Sequence, residues 1–261
     1  IHIVPIRVHL GARSYLDKLT LTPQEFYRQL EAAPQSAKTS QPPPGDFRRL
    51  FEFLTSHYEA VVAVHLSARA SGTWNAAVSA AERVTGRPIR VIDSRNASLG
   101  QGLIALAAAE CAANGGTLEQ VLAAAADAMR RTRTYALLVR LDYAVRGGRV
   151  PRFLQWIADM LHCSPLLATF PNGRVGFGGV IWSRRRARQR FARFIRRRLQ
   201  PTRRYRLLVG HGNSPEQGEL LLQEIVAGLA NIVSAERVSI GTALGVHGGP
   251  GMLVVGLQAL P

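Results

Sequence analysis

The chain has 261 residues, 47% of them hydrophobic, which suffices for one large or two small domains whose cores need no covalent staples. Its 33 Lys and Arg against 17 Asp and Glu give a formal net charge of +16, which favours an anionic partner. The two cysteines, Cys111 and Cys163, lie in apolar surroundings without metal-ligand spacing, and no apolar run has the length of a membrane span. Composition thus excludes a disulfide scaffold, and we predict a cytoplasmic protein with reduced core cysteines and no metal site.

Strands alternate with helices in the first half of the chain. The predicted strands cover residues 1–10, 60–66, 89–93 and 135–141. The predicted helices cover residues 23–33, 47–57, 74–84, 98–114 and 118–131, with Thr22 and Thr117 as N-caps. This alternation predicts βαβ units around a mostly parallel sheet. Because the chain opens inside an apolar strand without an initiator Met, we also expect its true N-terminus to lie upstream of residue 1.

The pattern changes after residue 146. Two short strands, 166–170 and 174–179, flank Pro171-Asn172-Gly173, and Asn-Gly between strands is a strong hairpin signal. The elements predicted after this hairpin are an Arg-rich helix 183–199, strand 205–211, helix 216–230, strand 237–242, a glycine-rich turn 245–251 and strand 252–257. We therefore predict an α/β protein with two domains, 1–146 with a mostly parallel sheet and 147–261 with a mixed sheet and helices.

The first candidate site lies between residues 38 and 73. Thr39 is predicted to lie on a turn that proline and glycine hold in shape, and the strand 60–66 runs into Ser71, Gly72 and Thr73, where a helix begins. Free backbone N–H groups and the helix dipole make such a helix start an anion site. An ordinary N-cap explains the same residues equally well, since Ser and Thr are favoured there.

The second candidate site is the glycine-rich segment 245–251, whose one titratable residue is His247. Its spacing matches neither a Walker loop nor a dinucleotide fingerprint, so it indicates no nucleotide cofactor. Glycines allow a ligand to approach the backbone closely, although a lone histidine in a turn is more often structural. An alternative is a serine acyl hydrolase that uses Ser71 or Ser67 with His247 and Asp93, but the chain has no Gly-x-Ser-x-Gly elbow.

The Arg-rich helix is amphipathic, because Ala187, Phe191, Phe194, Ile195 and Leu199 fall on one face at helical spacing. The simplest interpretation is a surface helix with a solvated basic face. Such a face also suits an acidic protein or a transient contact with an anionic membrane surface. A nucleic-acid-binding module is a further alternative, but nucleic acid is the less favoured partner because the helix has no recognition motif.

Five segments occur in an order and spacing that resemble those of the DegV family, across essentially the whole chain. They read Thr39-Ser40-Gln41-Pro42, Leu66-Ser67-Ala68-Arg69-Ala70-Ser71-Gly72-Thr73, Val91-Ile92-Asp93-Ser94, Gly147-Gly148-Arg149-Val150 and His247-Gly248-Gly249-Pro250-Gly251. The family binds fatty acids, and its best-understood members are the lipid-carrying B subunits of bacterial fatty acid kinase. The chain departs from the family at Ala68 and Ala70, where Ser and Leu are usual. It also lacks the family's first strand with its Asp-Ser turn.

The resemblance implies a two-domain DegV-like (EDD) fold with a lipid site between the domains. It implies that the fatty acid carboxylate is bound by Thr39, Ser71, Gly72, Thr73 and His247. Arg149 matches an arginine that engages the kinase subunit, and Arg184 matches a second one more loosely. No catalytic residue, metal or cofactor is implied, apart from the bound lipid itself.

The chemistry of a fatty acid agrees with these residue types. Each buried methylene contributes about 0.8 kcal/mol, so a long tail favours an apolar channel. An unpaired carboxylate in an apolar site is prohibitively costly, and hydroxyls, backbone N–H groups and an imidazole can share its charge. We therefore predict a carrier that binds one long-chain fatty acid and presents its carboxylate to a partner kinase, which makes acyl phosphate for phospholipid synthesis.

Overall fold

The computed structural model of the chain describes residues 1–33, 37–148, 153, 160, 163–182 and 185–261. The strands in these residues are β1 (Arg7–Leu10), β2 (Arg13–Leu16), β3 (Ala37–Ser40), β4 (Val61–His65), β5 (Ile89–Asp93), β6 (Thr132–Leu137), β7 (Cys163–Thr169), β8 (Val175–Trp182), β9 (Tyr205–His211), β10 (Ile232–Ser239) and β11 (Leu253–Ala259). The helices are α1 (Pro23–Ala32), α2 (Pro44–His57), α3 (Thr73–Ala81), α4 (Ser98–Ala113), α5 (Leu118–Arg131), α6 (Leu141–Arg146), α7 (Ala187–Arg196), α8 (Pro215–Val226) and α9 (Thr242–Gly248).

The strands of the described residues form three sheets. β1 lies between β2 and β3 in a short antiparallel sheet, and β4 pairs with β5 in parallel. The largest sheet has the order β10-β9-β11-β6-β7-β8, in which β10 and β9 are parallel and the other neighbours antiparallel. The predicted α/β class is confirmed, with the parallel pair β4–β5 in the first part of the chain and a mixed sheet with helices formed mainly by the second. The mixed sheet also takes in β6, which lies before residue 146.

Local capping signals fix two of the predicted helix starts. Thr22 accepts a hydrogen bond from the backbone N–H of Glu25 at 3.3 Å, with Pro23 at the first helical position of α1. Thr117 and Gln120 form a capping box at α5, with hydrogen bonds of 3.3 and 2.8 Å. These contacts pair N–H groups that have no partner within the helix. Because the capping residues lie within one turn of the helix start, both starts could be predicted from the sequence.

The parallel pair β4–β5 is covered by helices on both faces. Val61 packs with Phe47 and Phe51 of α2 on one face. Val64 packs on the other face with the cluster that contains Ile104 of α4. A strand that is buried on both faces has a continuous apolar run instead of an alternating one, and the run at 60–66 has this pattern.

His65 ends β4 in an apolar environment. Its ring meets the ring of Phe47 edge-on, with the centroids 5.1 Å apart. Burial lowers the pKa of His65 to about 4, because the charged imidazolium would lose its hydration there. The imidazole is therefore neutral in the folded protein at physiological pH.

Acidification should destabilise the protein through His65. The pKa is about 6.5 in the unfolded chain and about 4 in the folded one, so the unfolded state binds more protons between these values. The free energy of unfolding should fall by about 3 kcal/mol from this group as the pH drops from about 6.5 to about 4. Urea titrations of wild type and His65→Leu at several pH values would measure it. Below pH 6.5 the free energy of unfolding of the variant should depend less on pH than that of wild type. At pH 8, where the histidine is neutral in both states, the difference between the two proteins reports packing alone. The same pH dependence in both proteins would contradict the prediction.

The six-stranded sheet packs against α7 and α8. Phe191 and Ile195 of α7 and Leu221 of α8 are fully buried against strand residues such as Val255. The Arg-rich segment is thus an amphipathic helix, as predicted, although α7 is shorter than 183–199. Arg196 turns inward and donates to three carbonyls at the end of α8, those of Glu224, Ile225 and Ala227, at 2.7–3.2 Å. These carbonyls have no partner within their own helix, so the arginine acts as a C-terminal cap.

Strand β2 was not predicted, and β10 lies at Ile232–Ser239 instead of 237–242. Three further predictions were wrong or incomplete. Residues 242–248 form the helix α9, although a glycine-rich turn was predicted at 245–251, and Thr39 lies on strand β3 instead of a turn. Helix α6 was not predicted; it is held by its buried Tyr143, over which Arg140 and Arg146 stack at 5.0 and 4.6 Å. The conformation of all three segments depends on packing against residues distant in sequence, which a local sequence pattern does not reveal. In the part of the chain that the structure describes, no helix has the length and apolar character needed to cross a bilayer.

Candidate functional site

Thr39 and His247, which are 208 positions apart in the chain, meet through their side chains. The Thr39 hydroxyl oxygen and Nε2 of His247 are 2.9 Å apart, a hydrogen-bond distance. Thr39 is presented by β3, where it pairs in register with the fully buried Val8 of β1. Both groups are half-buried, so they lie at the surface of the protein without being fully solvated.

Helix α9 presents His247, and residues far away in sequence hold this helix in place. The Asp17 carboxylate accepts hydrogen bonds at 2.7 Å from both the backbone N–H and the hydroxyl of Thr242, the first residue of α9. At Gly245 a Cβ would lie 2.6 Å from the Phe26 ring. Glycine in this segment, which suggested a turn, therefore allows the helix α9 to pack closely against its neighbours. Asp17 was missed as its cap, since no local signal connects positions 17 and 242.

The turn between β4 and α3 carries Ser71, Gly72 and Thr73. Gly72 occupies the N-cap position of α3, and its neighbour Ser71 accepts a long hydrogen bond of 3.3 Å from the Thr73 N–H. The two hydroxyl oxygens, of Ser71 and Thr73, are 2.8 Å apart. A hydroxyl pair at a helix N-terminus lies where the backbone N–H groups and the helix dipole favour a negative charge. The predicted strand, turn and helix start are present here.

Gln41 connects the two groups of residues. It lies two positions beyond Thr39, and its side chain packs on Gly72 so closely that a Cβ there would overlap the amide oxygen. Two residues of extended chain span about 7 Å, so the Thr39 and Gly72 segments are neighbours. Gln41 was not predicted as a site residue, although it lies within the first family segment. Residues 39–41, 71–73 and 247 thus form one polar neighbourhood.

The glycine pair at 147–148 belongs to the same neighbourhood. Gly147 follows α6 and touches the imidazole of His247, such that a Cβ on Gly147 would overlap Nδ1. Arg149 was the residue predicted to be functional in this segment, but its first glycine, Gly147, also has a packing role against His247. The predicted partner-binding residues Arg149 and Arg184 lie outside the described residues.

Two residues of the alternative hydrolase triad are engaged in the structure of the turns. Ser67 is fully buried, and its hydroxyl donates to the carbonyl of Gly173 at 2.6 Å. The Asp93 carboxylate accepts from the backbone N–H groups of Ala68 and Arg95 at 3.2 and 2.8 Å. Asp93 therefore shapes the loop that carries Ser67. Within the residues described, no cluster of three or more His, Cys, Asp or Glu side chains has the geometry of a metal site.

Comparison with known proteins identifies relatives over the full fold. Residues 1–260 match the model of a family described as "Uncharacterised protein, DegV family". A DegV domain-containing protein of Streptomyces coelicolor is 31% identical over 258 residues, which cover 97% of this chain and 89% of the relative. Protein DegV of Bacillus subtilis is 29% identical over 254 residues, which cover 97% of this chain and 90% of the relative.

Solved structures agree with this grouping. The chain superposes with a TM-score of 0.89 on a DegV family protein from Thermus thermophilus described by its fatty acid binding, with 29% identity, covering 98% of this chain and 91% of that one. DegV of Bacillus subtilis, described as a fatty acid binding protein, gives a TM-score of 0.87 at 27% identity, covering 100% and 92% of the two chains. The fold, the order of the five segments and the family match agree: this chain belongs to the DegV family.

Proposed function

We propose that this protein binds one long-chain fatty acid and holds its carboxylate with the residues that the resemblance assigned: Thr39, Ser71, Gly72, Thr73 and His247. The observation that carries the proposal is the 2.9 Å contact between Thr39 and His247, which brings a donor from residues 1–146 to one from residues 147–261. The packing of Gln41 on Gly72 adds the helix start of α3 to the same neighbourhood. The fatty acid binding stated for the Thermus and Bacillus relatives supports it.

The donors suit an anion that is held without a fixed countercharge. Hydroxyls and an imidazole N–H donate without introducing a bulky guanidinium at the mouth of the site, and the α3 terminus contributes partial positive charge. Hydrogen bonds to a charged acceptor are the strong ones, at about 1.5–3 kcal/mol each. The hydrocarbon tail then contributes the larger part of the affinity through burial, less the cost of ordering it.

We further propose that the site lies between two domains, 1–146 and 147–261, and that the carboxylate is presented there to a partner kinase. Arg149 and Arg184 would contact that kinase. Helix α7 supports an acidic partner, because Arg186, Arg190, Arg193 and Arg197 recur every three or four residues, share one face and are exposed. The same face suits a transient contact with an anionic membrane surface.

Native mass spectrometry of the delipidated protein mixed with palmitate tests the binding. We expect one palmitate per chain at micromolar ligand, and no turnover or burst when the same preparation is given a p-nitrophenyl ester. Absence of a one-to-one complex would overturn the proposal, and ester hydrolysis abolished by Ser71→Ala would favour the hydrolase. Adding the catalytic subunit of a fatty acid kinase and ATP should yield acyl phosphate from the loaded protein. Failure there with intact binding would reject only the presentation step.

A further inference from the structure

Four buried polar residues beside the candidate site are linked by hydrogen bonds into a ring that the hairpin 169–173 completes. They are Ser67, Asn96, Thr134 and Thr169, and each is at most 5% exposed. Buried polar groups must be paired, and a fully satisfied network fixes one arrangement of the elements that carry it. None of the four belongs to the residues that we propose as carboxylate ligands.

Three hydrogen bonds link the four residues in turn, and the chain from Thr169 to Gly173 completes the ring. The backbone N–H of Ser67 donates to the Asn96 carbonyl at 2.8 Å, and the Thr134 hydroxyl donates to the Asn96 side-chain oxygen at 2.7 Å. The backbone N–H of Thr134 donates to the Thr169 hydroxyl at 3.0 Å. Thr169 ends β7, and the hairpin that follows returns to Ser67 at Gly173, whose carbonyl accepts the Ser67 hydroxyl proton at 2.6 Å.

The ring ties the parallel pair β4–β5 to the six-stranded sheet. Ser67 follows β4 and Asn96 follows β5, whereas Thr134 and Thr169 belong to β6 and β7 of the large sheet. Its centre is tightly packed, because a Cβ on Gly100 would overlap both the Thr134 hydroxyl and the Asn96 amide oxygen. The ring therefore fixes the spatial relation between the two sheets at this end.

Ser71 is built directly on one member of the ring. The carbonyl of Ser67 accepts hydrogen bonds from the backbone N–H groups of Ala70 and Ser71, at 2.9 and 3.2 Å. His247, in contrast, is carried by α9, which connects β10 to β11 of the large sheet. The two sides of the proposed carboxylate site thus belong to different sheets, and the ring lies between those sheets.

We propose that Ser67, Asn96, Thr134 and Thr169 are positioning residues that set the Ser71 turn at the correct distance from His247. The inference rests on the proposed function. The ring acts through geometry. It does not contact the ligand, but it restrains the position of the Ser71 turn relative to α9. Donors held in place before the ligand binds need no reorganisation when the charge arrives.

The test separates head-group recognition from general stability. Displacement of bound cis-parinaric acid gives dissociation constants for myristate and for 1-tetradecanol, which share a tail and differ in the head group. In Thr134→Val, which keeps the shape but removes the hydroxyl, we expect the preference for myristate over the alcohol to fall about tenfold, with affinity for the alcohol unchanged. Thr134→Ser restores the hydroxyl and should restore the preference.

Thr132→Val is the matched control. The Thr132 hydroxyl is also buried in the same strand, but it bonds to the Ala128 carbonyl and to Gln258, outside the ring. Thr132 meets the ring only through its backbone carbonyl, which accepts from the Asn96 amide and which valine retains. This variant should lose stability without losing the preference. If Thr134→Val does not fold, Thr169→Val, which removes only the acceptor for the Thr134 N–H, takes its place. An unchanged preference in a folded ring variant would overturn the inference, whereas a wild type without any preference for the carboxylate would overturn the proposed function itself.

Discussion

Replacing Ser71 with alanine should weaken fatty acid binding by about 10- to 100-fold while the fold is retained. The estimate follows from losing one hydrogen bond to a charged acceptor, about 1.5–3 kcal/mol, where each 1.4 kcal/mol is a factor of ten in Kd. Stability should fall by about 1 kcal/mol, since the hydroxyl lies 2.8 Å from the Thr73 hydroxyl and accepts a 3.3 Å bond from the Thr73 N–H, and both contacts are only partly buried. Isothermal titration calorimetry with myristate and thermal unfolding by circular dichroism measure the two quantities.

Ser79→Ala provides the control for that substitution. Ser79 lies on the same helix α3, and alanine has the higher helix propensity there, so neither affinity nor stability should fall. Wild-type affinity in Ser71→Ala, with Ser79→Ala also unchanged, would remove Ser71 from the site. Equal loss of affinity for the carboxylate and the corresponding alcohol would indicate damage to the tail channel instead.

Gly147→Ala should displace His247 and cost about 10- to 100-fold in fatty acid affinity, comparable with losing one hydrogen bond to the carboxylate. Gly147 has φ −71° and ψ −2°, which alanine adopts without strain, so the effect is purely steric. The new Cβ would overlap Nδ1 and lie 3.1 Å from Cε1, and the imidazole would have to leave its place beside Thr39. Overpacking of this kind also costs about 1–3 kcal/mol of stability.

Gly148→Ala is the complementary variant at the next position. Its φ is +69°, so alanine is strained by about 1–2 kcal/mol, but the space around an added Cβ is open. It should destabilise the protein without weakening the binding of fatty acid. The two neighbouring substitutions therefore separate displacement of His247 from backbone strain. The same loss of affinity in both variants would contradict a specific role for the Gly147–His247 contact.

The elements that the sequence predicts well are those with strong local signals. Strand β9 has its predicted bounds, Tyr205–His211, because its apolar run is buried and clearly delimited. The caps Thr22 and Thr117 were identified because a capping residue acts within one turn of its helix. The amphipathic spacing of Phe191 and Ile195 likewise identified α7 and its buried face.

The features that escaped prediction depend on residues distant in sequence. The glycine-rich sequence of α9 predicts a turn. The residue that caps its N-terminus, Asp17, could not be recognised because it lies 225 positions away. Strand β3 is only four residues long and exists through its pairing with β1, which places Thr39 opposite Val8. The family resemblance nevertheless selected Thr39 and His247 as partners, and the structure places them in contact. Residue-level roles in ligand binding remain a prediction from that resemblance.

Carbon-13 NMR of bound palmitate labelled at its carboxyl carbon examines the proposed head-group site most directly. In wild type we expect a single narrow carboxyl resonance, displaced from that of free palmitate, which moves in Ser71→Ala and in Thr39→Val but not in Ser79→Ala. Hydrogen bonds to the charged form should also keep this carboxyl ionised below its usual titration range. If the chemical shift of the bound carboxyl carbon is unchanged by both substitutions, and the carboxyl titrates like the free acid, the carboxylate lies elsewhere.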